Sequence, residues 1–512
     1  MPQAPRPTRV APRPLSGLAA LLGLPAREAA QVSVTGITHD SRQVRPGDVY
    51  AALAGANVHG ADFADQAAAA GAVAVLTDRQ GTAKVTADVP VLTVADPRAD
   101  LGRAAAWVYG DPAADLLVLG VTGTNGKTTT AFLVEAGLRA AGHRTGLVGT
   151  VATKIADETV TSIRTTPEAT DLHALFAVMR EQQVTAVVLE VSSHALAMGR
   201  VGGVQFDVGG FTNLSEDHLD FHADLEDYFR TKARLFTTGI SHRAVVCVDD
   251  AWGHRLADEL RADRADRPLT TCSTTGSAAD WWVTDVELHP TGTDFTVVGP
   301  DGAKGHASCP LPGEFNVANA LVAVAMLAAA GVPCTDALTG VAAAPGVPGR
   351  MERVVTGQEF LAVVDYAHTP DAVDRLLRSL RPVTGGRLIV VLGCGGDRDR
   401  AKRPLMGAAA VKHADLAVFT SDNPRSEDPL AILDAMRAGV DTVPADGRAE
   451  VVVEADRRRA IELAVAGAAP GDTVVVAGKG HEQGQDRGGV VYPFDDRAVV
   501  RETIGNREGG RP

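Results

Sequence analysis

The chain has 512 residues, 45% hydrophobic, 22% charged and 4% aromatic, a composition of ordinary globular type in a chain too long for a single core. A formal net charge of −14 argues against a general nucleic-acid binder. The five cysteines, Cys247, Cys272, Cys309, Cys334 and Cys394, show no CxxC or CxH spacing, which argues against a zinc site or a disulfide framework and fits a reducing cytoplasm.

Residues 1–16 are rich in Pro and Arg and read as a disordered tail. The alternative, a signal peptide made of these basic residues and "LSGLAALLGL", is the weaker reading. A first domain follows over 17–112, with strands predicted at "DVYAAL", "GAVAVLT" and "VPVLTV" and a linker at "YGDPAAD" (109–115). A second domain, 113–347, alternates apolar strands with helices: "LLVLGVT" (116–122), "TAVVLEVSS" (185–193), "FDVGGFTN" (206–213) and "AVVCVDD" (244–250). That alternation predicts an α/β fold with a mostly parallel sheet. The longest apolar run, "NALVAVAMLAAAGV" (319–332), is too short for a membrane span and reads as a buried helix. Pro and Gly cluster again at "APGVPGRME" (344–352), and a third domain, 348–512, repeats the alternation. Four of its apolar runs end in polar letters: "FLAVVDYAHTP", "RLIVVLGCGGDRD", "LAVFTSDNPR" and "TVVVAGKGHE". Ligands of open α/β sheets bind beyond the carboxyl ends of the strands, so four loaded ends imply a site.

The most specific signal is "LGVTGTNGKTTT" (119–130), a strand, a glycine-rich turn and the start of an apolar helix. Backbone N–H groups around Gly123 and Gly126 can close on phosphate oxygens, and the helix N-terminus favours negative charge. Lys127 can reach the β- and γ-phosphates of ATP, and the hydroxyl of Thr128 can ligand Mg²⁺. The spacing departs from a strict GxxxxGK[ST], because Val121 stands where the first glycine is expected. A P-loop enzyme also needs an acid on the metal, and Glu190 at the end of "TAVVLEVSS" is the candidate.

In chain order, "GTNGKTTT", "LEVSSHAL", "FTNLSEDHLDFH", "YFRTKARLF", "GEFNVANALVAVA", "PGRME", "DYAHTPDA" and "DNPR" resemble the Mur ligases, over roughly residues 35–495. The resemblance implies three domains: one for a uridine nucleotide, a central ATPase and a C-terminal Rossmann-like domain. It implies a cytoplasmic, monomeric enzyme of peptidoglycan-precursor synthesis that makes an acyl phosphate from ATP and a substrate carboxylate, then a peptide bond. Within the family it points to members adding 2,6-diaminopimelate, with the meso isomer expected and the LL isomer left open, to UDP-N-acetylmuramoyl-L-alanyl-D-glutamate.

The site residues follow from the same resemblance. Gly123, Thr124, Asn125, Gly126, Lys127, Thr128 and Thr129 would wrap the triphosphate, with Asn316, Arg350 and Asp365 on the rest of ATP. Thr128, Glu190, His218 and Lys232 would serve Mg²⁺, with Lys232 as a CO₂-derived carbamate because an ammonium cannot ligand a cation. Ser41 and Asn57 would hold the uridine nucleotide, and Thr165, Thr166, Ser192 and Arg200 the muramoyl-dipeptide. The amino acid would meet Arg398, Asp422, Asn423, Pro424, Arg425, Gly478 and Glu482. Arg425 offers a planar donor fork for the distal carboxylate that distinguishes diaminopimelate from lysine. A lysine-adding relative, a folylpolyglutamate synthetase and an ATP-binding switch without ligase chemistry stay as alternatives. The segment "THDSRQVRPGD" argues against the second, and the loaded strand ends argue against the third.

Overall fold

The computed structural model describes residues 4–25, 32–160, 162, 164–263 and 267–509. Its strands form three main sheets. The first has four parallel strands in chain order, Gly36–Thr38, Asp48–Ala51, Ala74–Thr77 and Val91–Thr93. The helix Pro97–Val108 packs on it, started by the Asp96 side chain, which accepts from the N–H groups of Arg98 and Ala99, and by Pro97 in its first turn.

The second sheet has 11 strands. Leu117–Thr122 runs at its centre, parallel to Ala186–Glu190 on one side and Phe206–Phe211 on the other. Thr145–Val148, Ser241–Cys247 and Leu269–Ser273 extend the parallel part. The helices Lys127–Ala140 and Glu314–Ala329 cover one face, and Ala320 through Leu327 are buried without interruption. The strands Trp281–His289, Gly292–Val298 and Lys304–Cys309 form an antiparallel extension that the sequence reading does not contain. A register shift between Thr284 and Glu287 breaks the alternation there, so the period-two signal is lost.

The third sheet places Glu352–Arg353, Leu361–Asp365, Thr473–Ala477, Leu388–Leu392, Leu416–Phe419 and Glu450–Val453 side by side. All but the first are parallel, so their carboxyl ends share one edge. A fully buried ion pair ties that edge together. Arg457 donates to Asp496 at 2.7 and 2.8 Å, and also to the carbonyls of Ser421 (3.3 Å) and Ala477 (2.9 Å) at two strand ends. Asp496→Ala would strand a buried guanidinium, and a loss of about 3–5 kcal/mol is expected in urea unfolding monitored by circular dichroism.

The chain passes into the third sheet through Gly346, Gly349 and Met351, all at positive φ. Gly349 is required for space as well, since a Cβ there would lie 2.1 Å from the backbone nitrogen of His481.

One expectation is corrected at the N-terminus. Residues 1–3 lie outside the described residues, but residues 4–16 are ordered rather than a disordered tail. Arg6 donates to Asp48 at 2.6 and 2.7 Å, Glu181 accepts from the backbone of Thr8 and Arg9, and Arg13–Pro14 pairs with Ser33–Val34. Contacts with distant residues hold a segment whose composition alone would leave it loose.

Candidate active site

The strand Leu117–Thr122 delivers the glycine-rich turn to the carboxyl edge of the second sheet. Gly123 and Gly126 have φ of 150° and 86°. A Cβ on Gly123 would lie 1.9 Å from Thr212 Oγ1, and one on Gly126 2.2 Å from Asn319 Oδ1, so both positions must stay bare. The loop is fixed from outside: Thr124 N donates to Asn213 O (2.8 Å) and Asn125 N to Asn213 Oδ1 (3.0 Å). Lys127 opens the helix and folds back, Nζ donating to Gly123 O (2.8 Å) and Thr124 O (2.7 Å). Burial lowers its pKa, Glu190 and Asp217 oppose the shift, and Arg350 adds to it.

Glu190 is fully buried and already organised. It accepts from Thr128 Oγ1 (2.8 Å), Thr150 N (2.8 Å) and Thr150 Oγ1 (3.0 Å). Thr128 and Glu190 thus set two oxygen donors side by side, the donor type that a hard cation such as Mg²⁺ takes. Lys232 is not the surface lysine that a bare helix position suggests; it is 1% exposed. Its Nζ donates to Gly123 O (2.7 Å) and lies 4.4 Å from the Tyr228 ring centre. Burial, with the Lys127 ammonium second, drives its amine well below the ordinary lysine range, against Asp217. His218 has a left-handed backbone (φ 55°), and its ring packs edge-on to His194 at 4.9 Å.

Lys127, Thr128, Glu190, His218 and Lys232 line one cavity of about 580 Å³ together with Thr129, Thr165, Ser192, Asn316, Arg350 and Asp365. The cavity lies between the second and third sheets. Arg350 reaches across to Thr128 Oγ1 (3.4 Å) and stacks on Tyr366 at 4.3 Å. Asp365 accepts from Met351 N (2.7 Å) and Ala367 N (2.8 Å), yet burial raises its pKa. Asn316 spends its amide on Pro312 O (2.8 Å), and Asn319 donates to its oxygen (3.1 Å). Thr166 bridges Glu190 O (2.8 Å) and Ser192 N (3.2 Å), and Ser192 caps the helix Ser193–Ala197.

Arg200 does not stand alone. It pairs with Glu168 at 2.9 Å, and Arg98 (3.1 Å) and Arg164 (2.7 Å) converge on the same carboxylate. Arg98, Arg164 and Glu168 are absent from the sequence reading, because 98, 164 and 200 meet only through tertiary structure. Beside this cluster lies a second cavity of about 620 Å³, lined by His39, Ser41, Gln43 and Tyr50 among others. Asn57 does not line it; it is exposed on the turn between the lining residues Leu53 and Val58.

The polar strand ends of the third sheet meet as expected, with a change of partners. Arg425 donates to Gly396 O, and a Cβ on Gly395 would sit 3.4 Å from Arg425 Nη1 and 3.8 Å from Arg398 Cγ. The two arginines therefore flank one glycine, Arg398 exposed and Arg425 half-buried. Gly478 (φ 112°) lies against Asp422, whose carboxyl is pushed up by burial in spite of Lys479 and Arg457. Glu482, expected to hold a substrate ammonium, is occupied. Lys479 donates to it at 3.0 Å and to Asn423 Oδ1 at 3.0 Å, while Asn423 Nδ2 donates to Glu482 (3.0 Å). Lys479 is fully buried, and the sequence reading passes over it although it sits inside "AGKGHE". Pro424 restricts the backbone before Arg425. The rest of "SDNPRSEDP" is scaffolding: Arg403 holds the Glu427 carboxyl down to about 2, and Asp428 caps the helix Pro429–Arg437.

Residues 33–109 match the Mur ligase family catalytic domain, 121–327 the Mur ligase middle domain and 349–480 the Mur ligase glutamate ligase domain. A UDP-N-acetylmuramoyl-L-alanyl-D-glutamate–2,6-diaminopimelate ligase of Streptomyces coelicolor is 58% identical, covering 99% of each chain. One of Corynebacterium glutamicum is 47% identical over 94% of each. A solved structure of a ligase of the same name superposes with a TM-score of 0.70 at 33% identity, covering 98% of this chain and all of the other. A glycine-rich loop and a buried acid at one sheet edge, a buried lysine on the helix Leu225–Ala233 and Arg350 reaching across from the third domain accord with these matches along the whole chain, which belongs to the Mur ligase family.

Proposed function

We propose that this ATP-dependent ligase joins 2,6-diaminopimelate, the meso isomer being the expected one, to the terminal carboxylate of UDP-N-acetylmuramoyl-L-alanyl-D-glutamate, as a cytoplasmic monomer. The observation that carries this reading is the shared cavity: Lys127, Thr128, Glu190 and Lys232 on one wall, Arg350 and Asp365 on the other. The domains are 17–112 for the uridine nucleotide, 113–347 for ATP and 348–512 for the amino acid.

The residues suit two displacements. In the first, a carboxylate oxygen of the dipeptide attacks the γ-phosphorus of ATP and ADP leaves. Lys127 and Arg350 neutralise the spreading charge while loop N–H groups hold the phosphates in line. In the second, the amine nitrogen attacks the acyl carbon, phosphate leaves and the nitrogen gives up a proton. Thr128 and Glu190 would hold Mg²⁺, joined by His218 at the rim and by Lys232 once carbamylated. The ion, when bound, supplies charge stabilisation at the phosphoryl oxygens.

Lys232 is prepared for carbamylation because the reaction needs a neutral amine, and burial favours that form. Equilibration with ¹³C-bicarbonate should give a protein carbamate signal in ¹³C NMR that is missing from Lys232→Ala. That variant should lose about a hundredfold in turnover, about 2.7 kcal/mol. An unlabelled but fully active wild type would remove the carbamate. The function itself is tested by phosphate release with ATP, the nucleotide-dipeptide and each of meso-diaminopimelate, LL-diaminopimelate and L-lysine. Release that does not depend on the nucleotide-dipeptide would overturn it.

A further inference from the structure

The second cavity lies at the carboxyl ends of the first sheet's parallel strands, where the loop His39–Gln43 carries Ser41. One of its walls comes from the N-terminal arm, since Ala4 and Pro5 line it. Their position is built rather than incidental. Arg6, 12% exposed, forms a two-pronged pair with Asp48, itself 2% exposed. The same guanidinium donates to Tyr109 Oη (3.3 Å) and to Gln43 O (3.4 Å), so it grips the Ser41 loop directly. Gly36 makes the room: a Cβ there would lie 2.1 Å from Asp48 Oδ1 and 2.2 Å from Arg6 Nη2. Further along, Thr8 and Arg9 anchor to Glu181, and Arg13 donates to Trp107 O at 2.6 Å. An arm held at so many points has little conformational entropy left to lose when a ligand arrives.

We propose that residues 4–6 are part of the nucleotide-sugar site, Ala4 and Pro5 forming an apolar wall for the pyrimidine-nucleotide end of the substrate and Arg6 clamping the Ser41 loop. The inference rests on the function proposed above and adds a binding element to it. Pro5 suits the wall because it presents a flat apolar face and no N–H that would need a partner. Tyr50, Leu53, Val58 and Phe63 supply apolar surface elsewhere in the cavity, and Ser41 and Gln43 supply hydrogen-bonding groups.

Two variants separate wall from clamp. Deleting residues 2–5 removes the wall and leaves Arg6 in place, whereas Arg6→Ala frees the arm but also leaves Asp48 without its cation. For the deletion, thermal melting should match wild type. The KM for the nucleotide-dipeptide and the Kd for UDP, read by calorimetry, should each rise about tenfold, while the KM for ATP moves less than about twofold. Arg6→Ala should weaken UDP in the same direction, and Arg6→Lys should recover part of the loss. A deletion variant that binds UDP and its substrate as wild type does would overturn the inference and leave the ligase reading standing. A wild type that neither binds UDP nor turns over the nucleotide-dipeptide would overturn both.

Discussion

Lys127→Ala is expected to give a folded chain whose ligase turnover falls about a thousandfold. The side chain contributes little to folding, since its ammonium caps two loop carbonyls, Gly123 O and Thr124 O, that water can satisfy. Its value lies in charge. In a cavity shared with Arg350 and closed by buried Glu190, a cation placed before reaction needs no reorganisation as the phosphoryl group moves. Melting temperature should hold, ATP should bind more weakly, and phosphate release should nearly vanish. Retention of more than about a tenth of turnover, under about 1.4 kcal/mol of barrier, would remove Lys127 from this role.

The second large effect concerns the choice of amino acid. Diaminopimelate and lysine differ by one carboxylate, and the candidate receptor is Arg425 with Arg398 beside it. In this structure Arg425 spends a guanidinium N–H on Gly396 O, which leaves donors of the fork for a ligand. Wild type should prefer diaminopimelate over L-lysine by about a thousandfold in kcat/KM. Arg425→Ala should lose most of that ratio through loss of activity on diaminopimelate. Arg425→Lys, which keeps the charge but not the fork, should recover only part. Lysine accepted as readily as diaminopimelate by wild type, or full discrimination in Arg425→Ala, would move the specificity elsewhere. The ion pair between Lys479 and Glu482 sharpens the test, because an incoming ammonium must compete for a carboxylate that already has a partner.

How much of this is legible in the sequence depends on how local the physics is. The phosphate loop is legible because strand, glycines, lysine and hydroxyls are consecutive. The loaded strand ends are legible because parallel strands put their carboxyl termini on one edge, so "SDNPR" and "GCGGDRD" had to meet. The Lys479–Glu482–Asn423 network is only half legible: the letters are in the motifs, but the pairing is a tertiary fact. Three arginines on Glu168 come from positions 98, 164 and 200, and no window of sequence joins them. The N-terminal arm misleads for the opposite reason. A segment rich in Pro and Arg resembles disorder, and partners elsewhere in the chain, among them Asp48, Glu181, Trp107 and Ser33–Val34, fix it in place.

Arg425 also holds φ at 52°, the left-handed region that a side chain enters at a cost of about 1–2 kcal/mol. Its backbone N–H still donates to Asp486 O, and its carbonyl accepts from Gly488 N, so glycine could occupy the same turn with both bonds kept. If Arg425 reads the distal carboxylate as proposed, thermostability and substrate choice are opposed at a single residue. A laboratory selection for heat resistance, run without a demand for activity, would drift toward Gly or Asn at 425 and return a tougher enzyme that no longer knows its amino acid.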